Sequence, residues 1–509
     1  MPKVGFISLG CPKNLVDSEV MMGLLGEQGH TLTPRAEDAE VLVVNTCAFI
    51  ESAQQESVDA ILELAQLKRS GRARRLIVAG CLVERFRQQI QAEIPEVDAL
   101  VGTNELPQIL AAVAGNSPRV AEATAINPAV KHETAAALAS APAFSRPRTA
   151  GAALPVLPSP PPAASPSLSV NGRVMPPAAQ AAQPGYLYDD RTPRLLTTAR
   201  HTAYLKIAEG CDHPCSFCVI PHYRGAFRSR ALASVEAEAR RLAAAGAREL
   251  VLVGQDTTSY GADLGLRHGL AQLLARLAAI EELVWIRTLY FYPNRVTPPL
   301  LDTLAAHPRL CRYVDMPLQH ASGQVLARMR RGGSGDHFLQ LLARIRAAIP
   351  GVALRSTFIT GFPGETEDDH KILCDFIQAA ELDWLGVFAY SDESTSRSHA
   401  LDAKVPSEVA EARRDQLMQL QRKISRRRRR ALLGARPTVL VEGPAEESAL
   451  LWQARLEGQA PGIDGKVLLN DFGLRPGGSP APPPAIGSFV TAEITAAHDY
   501  DLVARVVER

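Results

Sequence analysis

The segment EGCDHPCSFC, residues 209–218, follows the apolar run AYLKIA at 203–208 and sets three thiols at Cys211, Cys215 and Cys218. Such a run reads as a strand buried on both faces, so the thiols stand just past a strand end. A structural zinc site needs four ligands, usually from two C-x2-C halves, and His213 is the one nearby candidate for the fourth. Three thiolates at x3, x2 spacing suit a 4Fe-4S cluster with one iron left open to an exogenous ligand. Downstream, strands are expected at 203–208, 249–253, 284–290, 312–317, 352–358 and 384–390, with helical patterns between them. Eight such units close a full (β/α) barrel; six predict a partial, open (β/α)6 one.

Past Ser391 a charged helix is expected over about 407–433, with seven basic residues between Arg422 and Arg430. Such a run is usually a solvated face, and it could also touch ribosomal RNA. After Gly434 the short strands TVLVEG, GKVLLN and GSFVTAEITAA, broken by Gly and Pro, predict a small antiparallel β-barrel. Upstream of the cysteine segment, 11 of the 44 residues from Ala141 to Pro184 are proline and 11 are alanine. That composition cannot bury enough to offset chain entropy, and residues 119–196 are expected to be a disordered linker.

The amino-terminal part alternates short runs, at 4–9, 41–45 and 76–80, with helical patterns. In the first helix Asn14 is the expected cap and Gly29 the stop; the second runs from about Ile50 to Arg69. This is an open parallel α/β sheet. Cys11, Cys47 and Cys81 each lie one or two residues past one of its strands. Carboxyl ends of parallel strands share one edge, where open α/β folds bind ligands, so these distant thiols can converge. The alternative is three buried cysteines acting as small hydrophobes, which has no reason to put all three at equivalent strand ends. Cys311 and Cys374 have no triad partners and are read as apolar residues, and Asp315 as structural.

The chain has 509 residues, 46% of them apolar and 21% charged, the composition of an ordinary globular protein of several domains. With 55 basic and 54 acidic residues its net charge is +1, which does not suggest a nucleic-acid binder driven by bulk electrostatics. No apolar run approaches a membrane span or a secretory signal, so no membrane partner and a cytoplasmic location are expected, where eight cysteines point to metal or redox chemistry and not disulfides.

Cys-x3-Cys-x2-Cys after the first strand of a partial barrel resembles the radical S-adenosylmethionine superfamily. With the upstream triad and the terminal barrel, the whole chain except its linker resembles the methylthiotransferases. These join an amino-terminal cluster domain (1–118 here), a radical domain (197–434) and a TRAM domain (435–509). The strings SLGCPKNLVDSE, NTCAFI, CDHPCSFCVIP, LVGQDTTSYG, MPLQH and STFITGFPGET are most similar to the branch that acts on an aspartate of small-subunit ribosomal protein S-twelve, giving 3-methylthioaspartate. The resemblance implies two 4Fe-4S clusters. One, on Cys211, Cys215 and Cys218, cleaves S-adenosyl-L-methionine to a radical that takes a β-hydrogen. The other, on Cys11, Cys47 and Cys81, holds the sulfur, and a second S-adenosylmethionine gives the methyl group. It also implies an electron donor and a sulfur source.

By the same resemblance Phe217 is the aromatic near the adenine, and Gly254, Gln255 and Asp256 stand where the family's Gly-rich segment meets the methionine amine. Gln319, ending the fourth strand, and Arg355, inside the fifth, complete the cofactor candidates, Arg355 by pairing with the methionine carboxylate through its fork. Each of these polar side chains could equally satisfy a loop or sheet edge. Two rival readings are a tRNA adenosine methylthiotransferase and a non-catalytic iron-sulfur scaffold. From Ala435 to Arg509 there are 6 basic and 10 acidic residues, a net of −4, which favours a basic protein over tRNA as the partner.

Overall fold

The computed structural model describes residues 1–116, 185–473 and 481–508. One unit holds Met1–Ala48, the chain onward from Ser52, and Pro193–Leu196; a second runs from Thr197 to the carboxyl end with a few flanking residues. Most of the expected linker lies outside the described residues. Its last part, 185–196, departs from the expectation, because Tyr188, Arg194, Leu195 and Leu196 are buried. In the first unit Arg194 forms a fully buried ion pair with Glu19 at 2.6 Å, a contact that proline content could not reveal.

In the first unit β1 (Lys3–Ser8), β2 (Thr31–Thr33), β3 (Val41–Thr46), β4 (Arg75–Gly80) and β5 (Ala99–Val101) form a parallel sheet in the order β2-β1-β3-β4-β5. Every residue of β3 is buried, as its unalternating sequence requires of a strand covered on both faces. The first helix, Pro12–Glu27, starts with Cys11 at its N-cap. Pro12 presets the first turn without wasting a donor, so Asn14 lies inside the helix and is not its cap.

In the second unit the six expected strands are β6 (Thr202–Lys206), β9 (Glu249–Val253), β10 (Trp285–Thr288), β11 (Tyr313–Asp315), β12 (Ala353–Thr360) and β13 (Trp384–Ala389). The short β7 (Ala208–Glu209) and β8 (Arg228–Ser229) pair beside them. β6, β9 and β10 form one parallel triplet and β11, β12 and β13 another. A parallel bridge from Ile286 to Leu310 and the Cys311 N–H to Ile286 O bond, 2.9 Å, join them into an open six-stranded half-barrel.

The terminal barrel closes as β14 (Thr438–Ala445), β15 (Ser448–Leu456), β16 (Val467–Asp471), β18 (Leu502–Glu508) and β17 (Phe489–Ala497). Its pairings are antiparallel except β16 with β18, which is parallel. The loop between β15 and β16 meets the amino ends of the half-barrel strands. Tyr204 and Trp384 donate to Pro461 O (3.4 Å) and Gly458 O (2.7 Å), and Tyr313 to Asp464 at 2.7 Å. The terminal barrel thus docks opposite the edge where the strands end.

The basic run belongs to the helix Ser407–Arg430, and most of it is solvated, as expected: Arg422, Lys423, Arg426, Arg427 and Arg430 are exposed, while Arg428 is half-buried and Arg429 buried. Arg422 and Arg426 pair with Asp499, Arg427 with Glu381, and Arg428 and Arg429 with Asp383. Arg429, buried, and Arg428, half-buried, tie the helix to Asp383, whereas the pairs of Arg422, Arg426 and Arg427 lie on the solvated face.

Candidate functional site

Two thiol triads stand at the carboxyl edges of the two parallel sheets. In the first unit β1, β3 and β4 are neighbours, with Ser8 beside Asn45 and Thr46 beside Gly80, so Cys11, Cys47 and Cys81 emerge along one edge. Two glycines let their loops close up. Gly10 has φ +84°, and a Cβ there would lie 3.0 Å from Cys47 Sγ; Gly80 has φ +95°, and a Cβ there would come within 2.6 Å of Thr46 O. Asn14 ties the loops together, donating from Nδ2 to Leu9 O (3.0 Å) and Thr46 O (2.7 Å) while its Oδ1 lies 3.8 Å from the Cys81 thiol. Ser57 holds Cys47 from both sides, accepting from its N–H at 3.0 Å and donating to its carbonyl at 2.9 Å.

In the second unit Cys211, Cys215 and Cys218 lie on the loop that follows β7. The Cys211 N–H bonds Gly225 O at 3.2 Å and the Cys218 N–H bonds Cys215 O at 3.3 Å. Ser216 is pinned to Met329 O and Arg328 O, at 3.0 and 2.8 Å. Burial pushes the Cys211 and Cys218 thiols up to about 12, so both are neutral until a metal replaces their protons. Among the described residues no three His, Cys, Asp or Glu side chains are grouped as ligands of a single metal ion. A 4Fe-4S cluster asks for a different spacing, because each thiolate takes a different iron.

The cofactor candidates at this edge divide. Gln255 donates to Glu209 at 2.6 Å, and its buried Oε1 has no partner among the described residues. A Cβ at Gly254 would come no nearer than 3.5 Å to Ala208 O, so the fold itself does not demand glycine there. Phe217 packs edge-on against Phe362, centroids 6.5 Å apart, and Phe362 against Tyr390. Gln319 stands at the edge with φ +75°, a strained conformation for a side-chain-bearing residue.

Asp256 is buried and bonds His213 Nε2 at 2.6 Å, the Thr258 N–H at 2.9 Å and the Ser259 hydroxyl. Burial opposes its charge, but the bonds from His213, Ser259 and Thr258 prevail and hold its carboxyl below the usual range. His213 in turn stacks on Tyr292, centroids 3.6 Å apart. His213 therefore anchors the cysteine loop to the end of β9. The sequence had offered it only as a fourth zinc ligand.

Arg355 is not brought to the edge. It is the third residue of β12, five residues and roughly 16 Å short of the strand's end. There it pairs with Asp315 at 2.8 Å and Asp464 at 3.4 Å. Asp315 accepts from the Tyr290 N–H at 3.0 Å and pairs with Arg355, and Cys311 is buried. Arg331 and Tyr292, neither singled out by sequence, line the cysteine loop: Arg331 Nη1 donates to Cys215 Sγ at 3.4 Å, and Tyr292 stacks on His213. No local spacing marks them, since both arrive from loops far along the chain.

Models of known families match three stretches of the chain: Uncharacterized protein family UPF0004 at residues 3–102, the radical SAM superfamily at 205–377 and the TRAM domain at 433–507. The half-barrel with its thiol triad is thus that of a radical S-adenosylmethionine enzyme. A protein of Koribacter versatilis named ribosomal protein uS12 methylthiotransferase RimO is 54% identical over 99% of this chain and 96% of its own. One of the same name from Solibacter usitatus is 53% identical, covering 99% and 95%. The chain belongs to the family of ribosomal protein uS12 methylthiotransferases. Among solved structures, the radical S-adenosylmethionine methyltransferase TsrM from Kitasatospora setae aligns with a TM-score of 0.49 and 16% identity, over 76% of this chain and 72% of that one.

Proposed function

We propose that this chain is the transferase that converts an aspartate of uS12, the small-subunit ribosomal protein S-twelve, to 3-methylthioaspartate. The observation that carries this reading is the pair of thiol triads, each gathered at the carboxyl edge of its own parallel sheet, in a member of the uS12 methylthiotransferase family. Cys211, Cys215 and Cys218 hold the radical cluster, and Cys11, Cys47 and Cys81 hold the cluster that carries sulfur. Bound there with S-adenosylmethionine, these groups supply a radical able to take an unactivated hydrogen, which no side chain is basic enough to remove.

The protein's own part is orientation and exclusion of water. Gln255 offers its unpartnered Oε1 to the amine of S-adenosylmethionine, and Gly254 leaves room for it. Phe217, backed by Phe362, forms the apolar wall beside the triad. Asp256 acts through His213, fixing the loop that carries the thiols. Arg355, held by two carboxylates, is a positioning residue of the half-barrel and not a cofactor ligand. A terminal barrel of net charge −4 suits a basic protein substrate better than tRNA. An electron donor and a sulfur source are further partners, and the cytoplasm is the site of action.

The test is mass spectrometry of uS12 and tRNA from cells lacking this chain. Loss of one methylthio group from uS12 alone supports the reading. Loss from a tRNA adenosine alone replaces it with the tRNA activity, and loss from neither leaves a non-catalytic scaffold.

A further inference from the structure

Arg331 is held at three points. Its Nη1 donates to Cys215 Sγ at 3.4 Å, its Nη2 to Pro317 O at 2.7 Å, and its guanidinium lies over the Tyr292 ring, 4.7 Å from the centroid. The same ring stacks on His213, which bonds Asp256. The guanidinium is therefore built into the wall of the cysteine loop, with Pro317 closing the end of β11 and Tyr292 the end of β10. Salt-bridge geometry gives Arg331 no carboxylate partner among the described residues, whereas Arg328, three residues earlier, pairs with Asp402 at 2.6 Å.

A guanidinium with no carboxylate partner among the described residues, donating to a cysteine sulfur, has the cluster thiolates as its counter-charge.

We infer that Arg331 sets the reduction potential of the radical cluster through its charged hydrogen bond to Cys215. The inference rests on the reading that Cys211, Cys215 and Cys218 hold that cluster. One-electron reduction adds one negative charge, shared between the irons and their sulfurs. A positive N–H donor on one of those sulfurs stabilises the reduced form more than the oxidised form and raises the potential. No proton need move, because arginine stays charged in both states. Arg331 is thus a positioning and tuning residue, acting on the cluster through Cys215 and not on the substrate.

The test uses the full chain, anaerobically reconstituted with iron and sulfide, with Cys11, Cys47 and Cys81 changed to Ala so that one cluster gives the signal. The cluster is titrated with dithionite as electron donor and followed by electron paramagnetic resonance. Arg331→Met should bind the same iron and become harder to reduce by about tenfold in the equilibrium, about 59 mV for one electron, as expected from losing a charged hydrogen bond. An unchanged midpoint at equal iron content overturns the inference. Should Arg331→Met fail to hold iron, Arg331→Gln, which keeps an amide N–H without the charge, carries the measurement with the same two outcomes. Loss of iron from both variants with the fold intact by circular dichroism would make Arg331 merely structural and overturn it too. Absence of iron from the parent would instead refute the assignment of the triad, a separate failure.

Discussion

Asn14 shows how one amide can assemble a site from three distant stretches of chain. It bonds the residues before two of the cysteine turns and meets the thiol of the third, so its removal should release all three loops together. Asn14→Ala is expected to cut iron in the reconstituted protein from about eight to about four per chain, with the signal of the Cys211 triad retained. Full iron content by colorimetric assay would deny it that role. Asp256 makes the corresponding prediction in the second unit. Asp256→Ala strips acceptors from His213, Thr258 and Ser259, and should cost about 2–3 kcal/mol in urea unfolding and lower the iron held by Cys211, Cys215 and Cys218. His213→Phe, which keeps a ring to stack on Tyr292, should lose less stability but the same anchoring of the loop. The sequence made the six cysteines legible because each follows a run that can only be a strand. It left Asn14 looking like a cap, since an asparagine near a helix start usually is one, and only the position of Pro12 decides otherwise.

Four strands of the half-barrel, β6, β9, β10 and β11, are buried throughout and were readable as apolar runs, whereas β12 alternates in burial along its length. β2 and β5, three residues each, are too short to show a pattern. The harder element was the helix Ser407–Arg430. Most of its arginines are the solvated stripe they look like, but Arg429 is buried against Asp383, a partner tens of residues away that no local pattern reveals. Arg429 also lies over the Trp384 ring at 4.2 Å, and Asp383 caps β12 by accepting from the Leu354 N–H at 2.9 Å. Asp383→Asn should therefore destabilise the protein by about 1–3 kcal/mol, whereas Arg414→Ala, on an exposed neighbour pair, should change it by less than about 0.5 kcal/mol. Equal effects in urea denaturation would mean that the contacts of Asp383 are worth no more than an exposed pair. Arg355 lies away from the strand end where it was expected, for a related reason. A polar residue in a barrel strand suggests a site, but its register, five residues before the strand's end, decides which end of the barrel it serves.

The terminal barrel and the half-barrel share a buried ionic network at the end away from the thiols. Glu249 on β9 accepts from Arg287 at 3.0 Å and from Arg455 on β15, and all three side chains are almost wholly buried. Burial alone would raise the Glu249 carboxyl, but Arg455 and Arg287 outweigh it and hold it at about 2, below the ordinary 4.5. Its contribution to stability is then complete above about pH 4.5 and lost as the pH falls toward 2. Glu249→Gln should cost about 3–5 kcal/mol at neutral pH by leaving the buried Arg287 without a carboxylate and Arg455 with Glu442 alone, and the gap between variant and parent should narrow across that acid window. A gap independent of pH would assign the loss to packing alone. Because this network ties the terminal barrel to the amino ends of the strands, it leaves the opposite edge, where the second triad stands, to the proposed radical chemistry. The central claim is that both triads are needed to modify uS12. The most direct measurement incubates the anaerobically reconstituted chain with uS12, tRNA, S-adenosylmethionine, sulfide and reductant, and weighs both products by mass spectrometry. The parent should add one methylthio group to uS12 and none to tRNA, and neither Cys11→Ala, Cys47→Ala, Cys81→Ala nor Cys211→Ala, Cys215→Ala, Cys218→Ala should do so. Methylthiolation of tRNA in place of uS12, or full activity in either triple variant, would contradict it.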